Sequence, residues 1–292
     1  MTKIQPSAPL RSPHGSLLRR KAKDNPTLAS ILGSYEKFST AALSLVVSDK
    51  NSVFALVEAF NAYRNEAVYL FESGKNVPQE NLRSTMLEEL FSWLFKDLFA
   101  ILQFDQPTNY WAGKATSSYL TLTFAPKNFQ SLFEDPNPKI SKKDQDFAIG
   151  ATVAIKVMAS KSDDSAPALT VILPVVAIEC KTYLAKNHLD MCSATAQSLK
   201  RANPYCMYLI ATEFLKMDSE VTPEVTDISE IFILCKAENA ERKKRQSEGK
   251  PPHPMHADVV WELFSMVMGH LRAVWWDPAS SLDRGKVIGR PF

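Results

Sequence analysis

Cysteine is scarce in this chain: Cys180, Cys192, Cys206 and Cys235 stand far apart, and no Cys-x-x-Cys spacing occurs. That argues against a disulfide framework or a structural zinc module and predicts four reduced, buried thiols. No apolar run reaches the ~20 residues a membrane-spanning helix needs. Residues 1–26 are basic but hold no continuous apolar core, so they do not read as a secretory signal, and a cytoplasmic location is expected. Charge of one sign is lacking too: 34 Lys and Arg against 32 Asp and Glu leave a net +2, so the whole-chain field says little about partners, although local stripes can still steer. His253 and His256 flank a proline without a carboxylate cluster, which rejects them as a metal pair. No internal repeat is visible.

What is present supports a real core, since 45% of 292 residues are hydrophobic. Residues 1–26 carry Arg11, Arg19, Arg20, Lys21 and Lys23 among Pro6, Pro9 and Pro13, and read as a flexible basic arm, either a solvated tail or a strand that follows phosphates. Residues 27–78 read as a helical part of two or three helices, with Val53, Leu56, Val57, Phe60, Tyr63, Ala67 and Leu70 at helical spacing and Asn51 or Ser52 as cap. Gly74, Asn76 and Pro78 mark a soft boundary, and 79–292 form the main body, ending in a hydrophobic helix near 258–276. Within that body, 81–101 predict one long helix with a wide apolar face and Glu88 and Glu89 at its two edges. A strand at 117–124 and a turn-rich loop at 135–143 with Lys139, Lys142 and Lys143 follow. The remaining pattern is strand, strand, helix, strand, strand, an α/β order. The helix after the second of these strands carries Gln197 and Lys200, and 241–245 is a charge run that reads either as a basic clamp or as a solvated helix end.

The chemistry concentrates in VVAIECK, Val175 to Lys181. Strand side chains alternate, so Glu179 and Lys181 share a face with Val175 and Ala177. Upstream, Phe147, Ile149, Ala151, Val153 and Ile155 form one face of a strand and Asp146, Ala148, Gly150 and Thr152 the other. The polar stretch 160–167 between the two reads as a hairpin loop, so the strands should be antiparallel.

An Asp, an apolar hairpin and then Glu-x-Lys resembles the active-site signature of the PD-(D/E)XK nuclease superfamily, at Asp146, Glu179 and Lys181. DFAIG, then VVAIECKTYL, then a helix ending in SLKRANP, is similar to the type II restriction endonucleases of the Bpu-ten-I group over roughly 80–215. The resemblance implies a restriction-endonuclease-like mixed central sheet flanked by helices, with the helical part N-terminal to it. It also implies a magnesium ion held by Asp146, Glu179 and the main-chain carbonyl of Cys180, with Lys181 orienting the attacking water. Glu88 is the preferred supporting carboxylate, because Phe91, Leu94 and Phe95 follow it at the family's offsets, with Glu89 kept open. The implied partners are double-stranded DNA and a second subunit, identical or homologous, since one such site cuts one strand. A structure-specific repair or transposition nuclease, or an inactive DNA-binding subunit, are the alternatives.

Overall fold

The computed structural model describes residues 13–73, 82–103, 105–134, 136–157, 168–273 and 277–285. Helix α1 (Pro13–Ala22) lies where a flexible arm is expected. Its apolar content is slight, but His14, Leu18 and Ala22 are buried, and Arg19 sits over the Tyr35 ring at 5.3 Å. Tertiary burial therefore overrides a weak local signal; residues 1–12 of the expected arm lie outside the described residues. Helix α2 (Pro26–Ser44) starts at Asn25, whose side chain accepts from Thr27 N and Leu28 N, with Pro26 in the first turn. Helix α3 (Lys50–Ser73) is capped by Asp49 rather than by Asn51 or Ser52. Asp49 Oδ1 accepts from Ser52 N, and Ser52 Oγ accepts from Asp49 N in return.

The predicted single helix over 81–101 is two, α4 (Leu82–Leu94) and α5 (Leu98–Leu102). The break falls at Asp97, whose carboxylate turns aside to accept from Val47 N and from Lys96. Eleven of the thirteen α4 residues, all but Arg83 and Ser84, are buried, because α1 and α3 cover one flank and the sheet covers the other.

Among the described residues five strands follow in spatial order β1-β2-β3-β4-β5. They are β1 (Tyr110–Phe124), β2 (Pro138–Lys156), β3 (Ala168–Ala185), β4 (Met207–Lys216) and β5 (Glu230–Glu238). β1 pairs β2 and β2 pairs β3 antiparallel, β1 meets β3 in a parallel bridge at Ser118–Ile172, and β3, β4 and β5 run parallel, so the sheet is mixed as expected. β1 begins seven residues ahead of the predicted Ser117, and β2 already begins inside the predicted loop at 135–143. The start of β2 is an exposed ribbon with no core-facing alternation to read, and the start of β1 is broken by register shifts between Gly113 and Ser118 that interrupt the alternation. Short α6 (Ser131–Glu134) lies in the β1–β2 turn.

Helix α7 (Lys186–Ala202) makes the crossover from β3 to β4. The charge run is helix α8 (Asn239–Ser247), and α9 (Ala257–Arg272) and α10 (Pro278–Arg284) close the described chain. One continuous hydrophobic core joins α1–α4, β2–β5 and α9. Its aromatic seam runs Phe38–Tyr63 and Phe95–Phe147, with Phe95–Phe264 stacked at 5.7 Å. A second, smaller core lies under α7 on the other face of β3 and β4. All four cysteines are free and buried. Among the described residues no helix is long and apolar enough to cross a membrane.

Candidate active site

The antiparallel register that pairs Phe147 with Ile178 brings Asp146 level with Glu179. Two local irregularities set that alignment. Near Gly150 the β2–β3 register shifts by one, and a Cβ on Gly150 would stand 2.2 Å from the Leu173 carbonyl oxygen, so only glycine fits there. Between Gly113–Ala148 and Ala115–Gln145 the β1–β2 register shifts as well. Asp146 and Phe147 thus stand as two residues opposite the single Lys114, a β-bulge that re-aims side chains at this point.

Asp146 Oδ2 accepts from the Cys180 main-chain N–H at 2.8 Å. Lys181 Nζ donates to Glu179 Oε1. Lys114 Nζ, on β1, donates to Glu88 Oε1, on α4, at 3.0 Å. The charges act on one another. Burial raises the Asp146 carboxyl above the usual carboxylate range and the Glu179 charge adds to the rise, against the Cys180 N–H, Lys181 and Lys114. Burial pushes Glu88 up to about 7, with Lys114 opposing and Asp146 and Glu179 reinforcing. Lys181 is held above its ordinary value, its burial being outweighed by Glu179 and Asp146.

The adjacent glutamates point in opposite ways. Glu89 turns into the helical part, where Tyr35 Oη donates to it at 2.7 Å, Trp93 Nε1 at 2.8 Å and Gly15 N at 3.4 Å. Glu88 faces the Asp146–Glu179 end of the sheet, and its Oε2 is buried with no hydrogen-bond partner among the described residues. Asp146, Glu179, Lys181 and Glu88 therefore come together, while Gln197 on α7 is exposed and Lys200 half-buried. Arg242 lies elsewhere, bonded to Glu72 at 3.2 Å. Lys114 is the residue sequence reasoning missed: it precedes the predicted strand, and the bulge that aims it leaves no periodic signal. Lys143, expected in a loop, lies on β2 and donates to Thr195 of α7.

Three carboxylates, Glu88, Asp146 and Glu179, face two ammonium groups, Lys114 and Lys181. Hard oxygen donors with excess negative charge and one orphaned carboxylate oxygen fit a divalent cation. Among the described residues no three His, Cys, Asp or Glu side chains converge closely enough to hold a metal alone. A cation at this place would rest on two carboxylates and main-chain oxygen, with positions left open to solvent or substrate.

A mixed five-stranded sheet with carboxylates and a lysine at the β2–β3 junction, behind an N-terminal helical part, is the architecture of type II restriction endonucleases. It matches the solved structure described as the native BbvCI A2B2 tetramer at low resolution, with a TM-score of 0.64 and 18% identity over 90% of this chain and 97% of that one. Residues 79–287 match the family model of the Bpu10I restriction endonuclease, and the chain belongs to that family. No curated protein matches the chain significantly.

Proposed function

We propose that this protein is a type II site-specific deoxyribonuclease of a restriction–modification system, hydrolysing phosphodiester bonds of double-stranded DNA with magnesium in the cytoplasm. The observation that carries this reading is the alignment of Asp146 with Glu179 and Lys181 across the β2–β3 register, in a cluster where carboxylates outnumber ammonium groups. Asp146, Glu179 and the Cys180 main-chain carbonyl would hold the cation. When bound, magnesium supplies charge that neutralises the phosphate and lowers the pKa of water.

The chain's own groups do the rest. The Cys180 N–H fixes one Asp146 oxygen, leaving the other to face the pocket. Lys181, rising from the same strand face as Glu179, orients the attacking water and stabilises charge developing on the phosphate. Glu88, gripped by Lys114, turns its free oxygen to the pocket and holds a further water or cation there. One such site cuts one strand, so cutting a duplex requires a second subunit, identical or homologous; the BbvCI neighbour is described as an A2B2 tetramer. A catalytically inactive DNA-binding subunit is disfavoured, because it would have no use for buried, mutually repelling carboxylates.

The test is incubation of plasmid DNA with the purified protein, with and without magnesium, beside a Lys181→Ala control. Discrete magnesium-dependent fragments that the control lacks support the proposal, and their ends give the cut site. Unspecific degradation or cutting only of branched DNA would move the protein to a structure-specific nuclease, and no cutting by any subunit combination would end the enzymatic reading.

A further inference from the structure

The β1–β2 turn carries four large apolar side chains to solvent: Phe129 is 79% exposed, Phe133 68%, Phe124 54% and Leu132 42%. The Phe129 and Phe133 rings meet edge to face at 5.3 Å. The turn has a fixed shape. Asn128 Oδ1 accepts from Ser131 N, Ser131 Oγ accepts from Asn128 N, and Ala125 and Asn137 close its neck through Ala125 N to Asn137 O and Asn137 Nδ2 to Ala125 O. A shaped apolar cluster this exposed marks a surface that meets a partner.

Its position says which partner. β2 pairs with β3 only from Phe147 onward, whereas 138–143 pair with β1 alone. At the base of this ribbon Lys143 bonds Thr195, and the neighbouring α7 residue Cys192 feels the charges of Glu179, Lys181 and Lys143 together. The ribbon therefore leaves from the active site, and its five residues beyond Lys143 reach about 15–17 Å at ~3.3 Å per residue. Lys127, Lys139 and Lys142 are exposed along it. Over 124–142 these lysines outnumber the two acids, Glu134 and Asp135, and Glu134 accepts from the Gln130 amide at 3.1 Å.

We propose that this ribbon is a DNA-gripping arm: Lys127, Lys139 and Lys142 lie along phosphates, while Phe129, Phe133 and Leu132 at its tip wedge against a base step in the minor groove several base pairs from the reacting phosphate. The proposal rests on the nuclease reading above. A subunit interface is the poorer fit, because lysine is depleted from such interfaces. Nucleic acid uses both features, cations for position and apolar wedges to unstack and bend.

The experiment uses the full-length chain carrying Lys181→Ala, so that DNA stays intact, and a fluorescent 40-bp duplex bearing the cut site mapped as above. Adding Phe129→Ala and Phe133→Ala should weaken binding by about 10- to 100-fold, with sedimentation mass and melting temperature unchanged. Adding Lys127→Ala, Lys139→Ala and Lys142→Ala instead should flatten the salt dependence of log K by about 2.7, at ~0.9 per phosphate contact. Unchanged affinity in both variants overturns the proposal. So does a change of mass in the aromatic variant, with or without weaker DNA binding, which would assign the tip to a second copy of the chain. Failure of the Lys181→Ala protein itself to bind any duplex would sink the nuclease reading, and the arm with it.

Discussion

Two buried clusters of charge, both sandwiched between the helical part and the sheet, treat their carboxylates in opposite ways. At one, Glu213 is fully buried and takes Arg64 and Arg83 together, while Glu72 takes Arg83 at 3.0 Å and Arg242 at 3.2 Å. Burial alone would raise Glu213, but the two guanidinium groups win and hold it at about 2. Here three cations answer two anions. At the other cluster, among the described residues, Glu88, Asp146 and Glu179 meet Lys114 and Lys181, and Glu88 and Asp146 rise instead of falling. Opposite shifts under burial separate a finished ion cluster, which fastens α3, α4, β4 and α8, from an unfinished one that leaves room for a further positive charge.

That contrast can be broken from either side. Replacing Asp146 by Asn, Glu179 by Gln or Lys181 by Ala should cut plasmid cleavage by about a thousandfold or more, with duplex binding retained in a gel-shift assay. Glu213→Gln should act on folding instead. It strips charge from a pair of buried arginines, and urea denaturation should show a loss of about 3–5 kcal/mol. Glu88→Gln should do the reverse in metal-free buffer. By removing a desolvated, repelled carboxylate it should raise stability by roughly 1–2 kcal/mol at pH 8, while lowering cleavage. If Glu88→Gln destabilised as Glu213→Gln does, the two clusters would not differ in kind.

How much of this was legible in the sequence follows from the range of the interactions. The alternation in VVAIECK and DFAIGATV is local, so the antiparallel β2–β3 pair and the shared face of Glu179 and Lys181 could be read directly. Glu88 and Glu89 could be read as a pair on α4. Which one faces the sheet depends on Tyr35, Trp93 and Gly15, and the first and last of these are far away in sequence. Arg64 and Arg83 stand 149 and 130 residues from Glu213, beyond any periodicity. Lys114 was hidden by the bulge opposite Asp146, because a shifted register erases the period-2 signal. Helix α1 was hidden for another reason: a short basic segment gains its order from burying His14 between Thr85 Oγ1 and Tyr63 Oη.

His14 gives an effect confined to acid pH. Burial pushes its imidazole down to about 3 from 6.5, so the folded state favours the neutral ring. The stability it contributes is fully present above pH 6.5 and is lost as pH falls from there toward 3. The urea midpoint of the parent should therefore decline more steeply between pH 6.5 and 4 than that of His14→Gln. Parallel slopes would mean that His14 is not held neutral.

The most direct measurement is thermal unfolding with magnesium titrated into the DNA-free protein, run on the parent, Glu179→Gln and Glu213→Gln. The unfinished cluster predicts a melting temperature that rises with millimolar magnesium in the parent and in Glu213→Gln, and stays flat in Glu179→Gln. A flat parent, or a rise that survives Glu179→Gln, would contradict it.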